Sequence, residues 1–188
     1  MATQASLVSI QQIYVAYLGR PADPAGLLFW APRLDETDLT EILFEFGNSR
    51  EFLDSYGDME NEALIHSLYQ QVFNRDADPE GLAFYLNRLK TGEASLTSIP
   101  KQIIDGAERA STDAQIFDNK IMQANCLTDQ WYELGADITQ EYSKILDAVG
   151  LEVPVCAMVR TAPSAFLLEE IVLTGISVTD NLIIDYGL

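Results

Sequence analysis

Apolar residues recur at spacings of three and four along most of the chain, the period of helices that bury one face. Leu7, Ile10, Ile13, Tyr14, Tyr17 and Leu18 form one such stripe, and Leu64, Ile65, Leu68, Tyr69, Val72 and Phe73 form another. A second pair consists of Leu27, Trp30 and Leu34 in one helix and Leu82, Tyr85 and Leu89 in the other. Each helix of this pair opens on Asp-Pro, at Asp23-Pro24 and Asp78-Pro79. The aspartate can accept an N–H of the first turn, and proline suits the first helical position because its missing N–H would have no partner there. Leu39, Ile42, Leu43 and Phe46 predict a third helix, whose counterpart starts near Ser98 because Pro100 fits only in a first turn. Past Thr112, Ile116, Phe117, Ile121 and Ala124 predict one long helix, and Tyr142, Ile145, Leu146 and Val149 another that ends at Gly150. Residues 151–163 hold two prolines and read as a connection, followed by a short apolar helix over 165–173. The last segment, 176–188, is rich in β-branched residues without helical period and reads as a short strand or the entry to a β region.

The paired stripes are a duplication. Sliding the sequence by 55 places sets Ile10–Leu34 over Ile65–Leu89 with 11 of 25 residues identical. A two-residue slip in the turn at 90–95 then sets the segment from Leu39 over the one from Leu96, and surface turns tolerate such insertions. The expected fold is therefore all-α. Two tandem three-helix units fill residues 1–111, at 7–56 and 62–111, and share one core through the helices of Tyr14 and Tyr69, because repeats of this size cannot bury their apolar faces alone. A helical extension over 112–174 should pack on the repeats, with 175–188 as a tail or the start of a β region.

Composition narrows the function. Of 188 residues 48% are hydrophobic, enough to fill a core. Acidic residues number 29 against 11 basic, for a net charge of −18, which excludes a nucleic-acid binder because phosphate recognition needs a cationic footprint. Solubility in salt and affinity for divalent cations are two readings of that acidity. No stretch reaches the ~20 apolar residues of a membrane span, so no membrane insertion is expected. The N-terminus lacks the basic start and apolar run of a secretory signal, so export would use a route that cleaves none. Cys126 and Cys156 lack metal-ligand spacing; two buried thiols are expected, with a single disulfide as the alternative outside the cell.

Candidate chemistry is sparse. The one histidine, His66, falls where the first copy has Gln11 and reads as a surface or core-edge residue rather than a general base. No nucleophile elbow, phosphate loop, zinc-helix or dinucleotide motif occurs, so an enzyme is not expected. Asp76, Asp78 and Glu80, followed by Gly81, match the opening of an EF-hand loop, but its twelfth position is Asn87 and the first copy has Pro21, Asp23 and Ala25 at the acidic places. Helix capping explains the shared aspartate and glycine without a metal; no cofactor is required and calcium stays open. Trp30 and Tyr85 stand at matched positions near Arg33 and Arg88. Such a pair could stack a sugar ring and bond its hydroxyls, although aromatic residues at helical spacing more often fill a core.

The string Leu18-Gly19-Arg20-Pro-Ala-Asp23-Pro-Ala-Gly26-Leu27-Leu-Phe-Trp30 resembles the motif of the bacterial domain of unknown function 4214. The second copy reads Phe73-Asn74-Arg75-Asp-Ala-Asp78-Pro-Glu-Gly81-Leu82-Ala-Phe-Tyr85. The downstream Ser-x-Glu-Phe of that family stands as Ser49-Arg50-Glu51-Phe52, with Gly106-Ala107-Glu108-Arg109 as its degenerate counterpart, and Asn119-Lys120 looks like the helix that trails the domain. The likeness covers about residues 10–110. Members resemble phycobilisome linker domains in repeat pattern and occur in surface-layer proteins, calcium-binding adhesins and other type I secretion substrates. The resemblance thus implies a non-enzymatic extracellular or cell-surface module, free-standing or the first part of a longer chain. It would anchor a secreted or surface-layer-type protein to envelope polysaccharide such as lipopolysaccharide. The alternative is a helical scaffold acting through protein contacts, among them other copies of a surface protein.

Two ion pairs are expected from the motif. Arg20 and Arg75 follow the end of a first helix, where exposed carbonyls favour a cation, and Glu51 and Glu108 end the third helix of the same copy. Arg20–Glu51 and Arg75–Glu108 pairs would staple each unit shut.

Overall fold

A computed structural model describes residues 2–134 and 139–152, with the side chains of 133–142 left out. The described residues are helical throughout, with connecting turns. Copy one comprises α1 (Gln4–Ile13), which runs on as a π-helical turn over Tyr14–Leu18, then α2 (Pro24–Leu34), α3 (Leu39–Gly47) and α4 (Arg50–Tyr56). Copy two comprises α5 (Asn61–Phe73), α6 (Pro79–Thr91) and α7 (Ile99–Asp105), after which come α8 (Thr112–Leu134) and α9 (Thr139–Asp147). The expected short helix at 165–173 and the expected strand at 176–188 lie outside the described residues.

The second helices start where the sequence says they should. Asp23 accepts from Gly26 N at 2.7 Å and Asp78 from Gly81 N at 2.9 Å, each with proline in the first turn. The first helices stop on a left-handed residue, Gly19 at φ 62° in copy one and Asn74 at φ 57° in copy two. These are the two residue types that enter that region most easily.

Copy one corrects the three-helix expectation. Its third helix breaks at Asn48, and Ser49 caps a separate α4 by accepting from Phe52 N at 3.2 Å. Glu51 therefore lies in the first turn of a new helix, not at the end of an old one.

One apolar core runs through both copies. Ile10, Ile13 and Tyr17 of the first helix, Phe52 of α4, and Leu64, Ile65 and Leu68 of α5 are all essentially inaccessible. Tyr17 Oη donates to Thr97 O at 2.6 Å, which ties copy one to the start of α7. A Cβ on Gly47 would come within 2.5 Å of Thr97 Cα, so the copies meet there at backbone distance.

Gln71 on α5 closes the π-helical turn. Its Nε2 donates to Val15 O at 3.1 Å, which also accepts from Gly19 N, and to Ala16 O at 2.8 Å, while Tyr56 Oη donates to its Oε1 at 2.5 Å. Helix α8 lies across both copies: Thr128 Oγ1 donates to Ala22 O at 2.7 Å, and the fully buried Lys120 donates to Gln71 O at 2.6 Å. Gln71 O belongs to the last turn of α5, whose carbonyls have no helical partner and favour a cation. The neighbouring Asn119 holds Gly150 O and Glu152 O at 2.9 and 3.1 Å. Lys120 thus fastens the extension to the repeats, while Asn119 ties α8 to the segment that follows α9. Cys126 on α8 is disulfide-bonded, which corrects the expectation of thiols at that residue; Cys156 lies outside the described residues.

Candidate functional site

The motif residues of each copy converge on an arginine. In copy one, Arg20 Nε and Nη2 donate to the two carboxylate oxygens of Glu51 at 2.6 and 2.9 Å. Its Nη1 donates to Pro21 O at 3.1 Å and lies 3.6 Å from Asp23 Oδ2, and the guanidinium sits 5.0 Å above the Tyr14 ring. Burial opposes the charge on Arg20, yet the hydrogen bonds and charge of Glu51 more than compensate and hold its pKa above the usual value. Burial first, then the nearby Asp23, pushes the Tyr14 hydroxyl well above its ordinary range.

Copy two repeats the clasp with one substitution of partner. Arg75 Nε and Nη2 donate to the carboxylate of Asp113 at 2.8 and 2.6 Å, not to Glu108. Its Nη1 donates to Asp76 O at 2.9 Å and Asp78 Oδ2 at 3.2 Å, and the guanidinium lies 5.1 Å from the Tyr69 ring. Glu108 stands exposed in the turn before α8, where Ala110 takes a left-handed φ of 66°. The equivalent of Ser49-Arg50-Glu51 is Ser111-Thr112-Asp113: Ser111 Oγ accepts from Ala114 N at 3.1 Å and caps α8 as Ser49 caps α4. A capping serine followed two residues on by a carboxylate was the available signal, displaced by the longer turn after α7.

The glycines of the motif have a steric cause. A Cβ on Gly26 would lie 2.0 Å from Tyr14 Oη, and one on Gly81 2.7 Å from Tyr69 Oη. Tyrosine, arginine, capping aspartate, glycine and the carboxylate of the following helix thus make one structural unit, built twice.

The three residues considered for calcium are placed differently. Asp78 caps α6 and pairs with Arg75, Asp76 Oδ1 accepts from Gln70 Nε2 at 2.9 Å, and Glu80 stands exposed in the first turn of α6. Among the described residues no group of three metal-ligating side chains comes together. His66 Nδ1 is buried without a hydrogen bond, 4.0 Å from Asp76 Oδ1.

The proposed sugar platform is corrected at its rings. Tyr85 is buried, its Oη donates to Gln102 O at 3.0 Å, and Arg88 is engaged by Gln102 Oε1 at 2.7 Å and Glu93 at 3.3 Å. Trp30 is half-buried against Phe46, at 5.4 Å between ring centroids. The open rings are their sequence neighbours Phe29 and Phe84, each T-stacked on the core ring at 4.9 and 5.0 Å. Arg33 lies 3.3 Å from the Phe29 centroid and Arg88 5.4 Å from that of Phe84. The helical stripes of Leu27, Trp30 and Leu34 and of Leu82, Tyr85 and Leu89 place the inner rings on the apolar faces, which leaves their neighbours outside.

No helix among the described residues is long and apolar enough to cross a membrane. No curated protein and no solved structure matches the chain. Residues 44–111 match the family described as "Domain of unknown function (DUF4214)", so the stretch from α3 to the Ser111 cap of α8 is a domain of that family.

Proposed function

We propose that the chain is a non-enzymatic helical module of a secreted or surface protein, acting as an assembly scaffold through contacts with other protein. The observation that carries this reading is the outward placement of Leu28, Phe29, Phe44 and Phe84, four large apolar side chains left hydrated on the second and third helices of the copies. Exposed apolar surface of that kind marks contact with another macromolecule. The charged residues of the motif meanwhile pair with one another or, for Arg75, with Asp113 of α8, which is a structural use of them. The disulfide at Cys126 supports an oxidising compartment.

A second reading is attachment to envelope polysaccharide. It is favoured by Arg33, which lies exposed over Phe29 and offers donors beside an aromatic ring. Binding of the labelled chain to isolated cell envelopes separates the two. Binding through protein is lost after protease digestion of the envelopes and survives periodate oxidation of their sugars. Loss to periodate, with survival through protease, would overturn the scaffold reading in favour of the polysaccharide one.

A further inference from the structure

The extension is fastened by two kinds of bond along one stripe of α8. Heptad-spaced residues share a helix face, so Asn119 and Cys126 lie on the same side of α8, roughly 10 Å apart. Asn119 Nδ2 holds Gly150 O and Glu152 O, and Asn74 Nδ2, just past α5, holds Val149 O at 2.6 Å. Helix α9 packs on α8, and Leu146 and Val149, at and just past its end, are buried. The chain is thus brought back onto α8 at Glu152.

Cys126 is half-buried and disulfide-bonded. The sequence holds one other cysteine, Cys156, which stands four residues past Glu152 and lies outside the described residues. Four residues of extended chain reach up to about 14 Å, enough to cover the distance along the stripe from Asn119 to Cys126. The hydrogen bonds of Asn119 and Asn74 are indifferent to redox potential. A disulfide is not, and a half-buried sulfur is open to a small thiol.

We propose that Cys126 pairs with Cys156 of the same chain, and that this bond is a redox latch on the extension, closing α9 onto α8 in oxidising surroundings and letting it open in reducing ones. The inference goes beyond the scaffold reading and holds whichever partner the module meets. Closure is thiol–disulfide exchange. One cysteine thiolate attacks a small disulfide such as oxidised glutathione and releases one glutathione, then the second cysteine displaces the other from the mixed disulfide. The protein gives up two electrons and two protons, which leave on the two glutathione thiols, and excess thiol reverses both steps. The bond closes a loop of about 30 residues that contains α9 and the end of α8 and no helix of either copy. Closing a loop of that length disfavours the open state by on the order of several hundred-fold.

The test is amide hydrogen exchange on the full chain, oxidised with glutathione disulfide or reduced with dithiothreitol, beside Cys126→Ser and Cys156→Ser. Peptide mapping of the oxidised chain should give one cross-linked pair holding both cysteines, from a monomer. A disulfide-linked dimer, or two thiols that survive oxidation, overturns the pairing. On reduction the amides of α9 should exchange at least about 100-fold faster, while those of α5 and α6 change by less than about threefold. Both serine variants should match the reduced chain with or without reductant. The reduced wild type carries no substitution, so the comparison stands even where a serine variant folds poorly. Exchange in α9 that reduction leaves unchanged overturns the latch. Acceleration shared equally by α5, α6 and α9 overturns it too, since the bond would then staple the whole fold.

Discussion

The two clasps hold the same chemistry with opposite burial. In copy one the side chain of Arg20 is 13% exposed and that of its partner Glu51 46%. In copy two Arg75 is 39% exposed and Asp113 17%. The cause is the helix that supplies the acid: α4 is a short surface helix, whereas α8 is 23 residues long and lies across both copies, drawing Asp113 inward. A duplicated motif can therefore keep its bonds while exchanging which charge the interior must tolerate.

The largest effects should come from the glycines. Gly26→Ala sets a Cβ 2.0 Å from Tyr14 Oη, against 2.7 Å from Tyr69 Oη for Gly81→Ala. Overpacking against a ring locked beneath an arginine should cost about 3 kcal/mol at Gly26 and about 1–2 kcal/mol at Gly81, by chemical denaturation. Equal losses would mean that the two tyrosines yield equally and that the copies are packed alike at this point.

The clasps themselves should show a reversal. Removing the exposed partner strands a buried charge, and that is the harmful half of breaking an ion pair. Glu51→Ala should therefore destabilise more than Arg20→Ala, and Arg75→Ala more than Asp113→Ala, by about 2–3 against about 1 kcal/mol after allowing for the partial exposure of each pair. Glu108→Ala should be silent. A ranking with the arginine more costly in both copies would show that packing on tyrosine outweighs the stranded charge.

Lys120 belongs to neither clasp and gives a pH signature of the extension. Burial lowers its pKa from 10.5 to about 8, against the opposing pull of Asp147. Between those values the unfolded chain holds the extra proton, so stability rises as pH climbs from about 8 towards 10.5. Tyr56 and Tyr85, pushed up by burial to about 12, act in the other direction above pH 10, where the unfolded chain ionises first. From pH 7 to 9.5 the wild type should gain about 2 kcal/mol relative to Lys120→Met. Parallel pH profiles for the two proteins would contradict a buried, titrating amine.

The smallest contrast lies at the helix ends. Gly19→Ala meets both a left-handed φ and Gln71 Oε1 at 2.7 Å, and should cost about 1–2 kcal/mol. Asn74→Gly keeps the conformation and loses the bond from Nδ2 to Val149 O, for about 1 kcal/mol or less. Thermal melts that order the two the other way would assign the ends to hydrogen bonding rather than backbone shape.

Much of this is legible in the sequence alone. The Asp-Pro starts, the apolar stripes and the 55-residue offset follow from local rules, since capping and periodicity act within a turn or two of chain. The Arg20–Glu51 pairing was readable because Ser49-Arg50-Glu51-Phe52 stands intact. Its counterpart was not, because matching by offset reaches Glu108 while the longer turn carries the capping serine on to Ser111. The helical stripes place Trp30 and Tyr85 inward, as the structure has them, and it is Phe29 and Phe84 beside them that face out.

The sequence by itself determined the helices, their duplication and the identity of the residues that stop and start them, because those choices are settled by each residue's own backbone preferences and its near neighbours. Only the tertiary structure decided which acid Arg75 meets, why Gln71 serves the π-helical turn of the other copy, and why Lys120 lies buried on Gln71 O. Those contacts span 38 to 56 residues of chain. Their partners are selected by where packing leaves an unsatisfied carbonyl or a stranded charge, which no local pattern encodes.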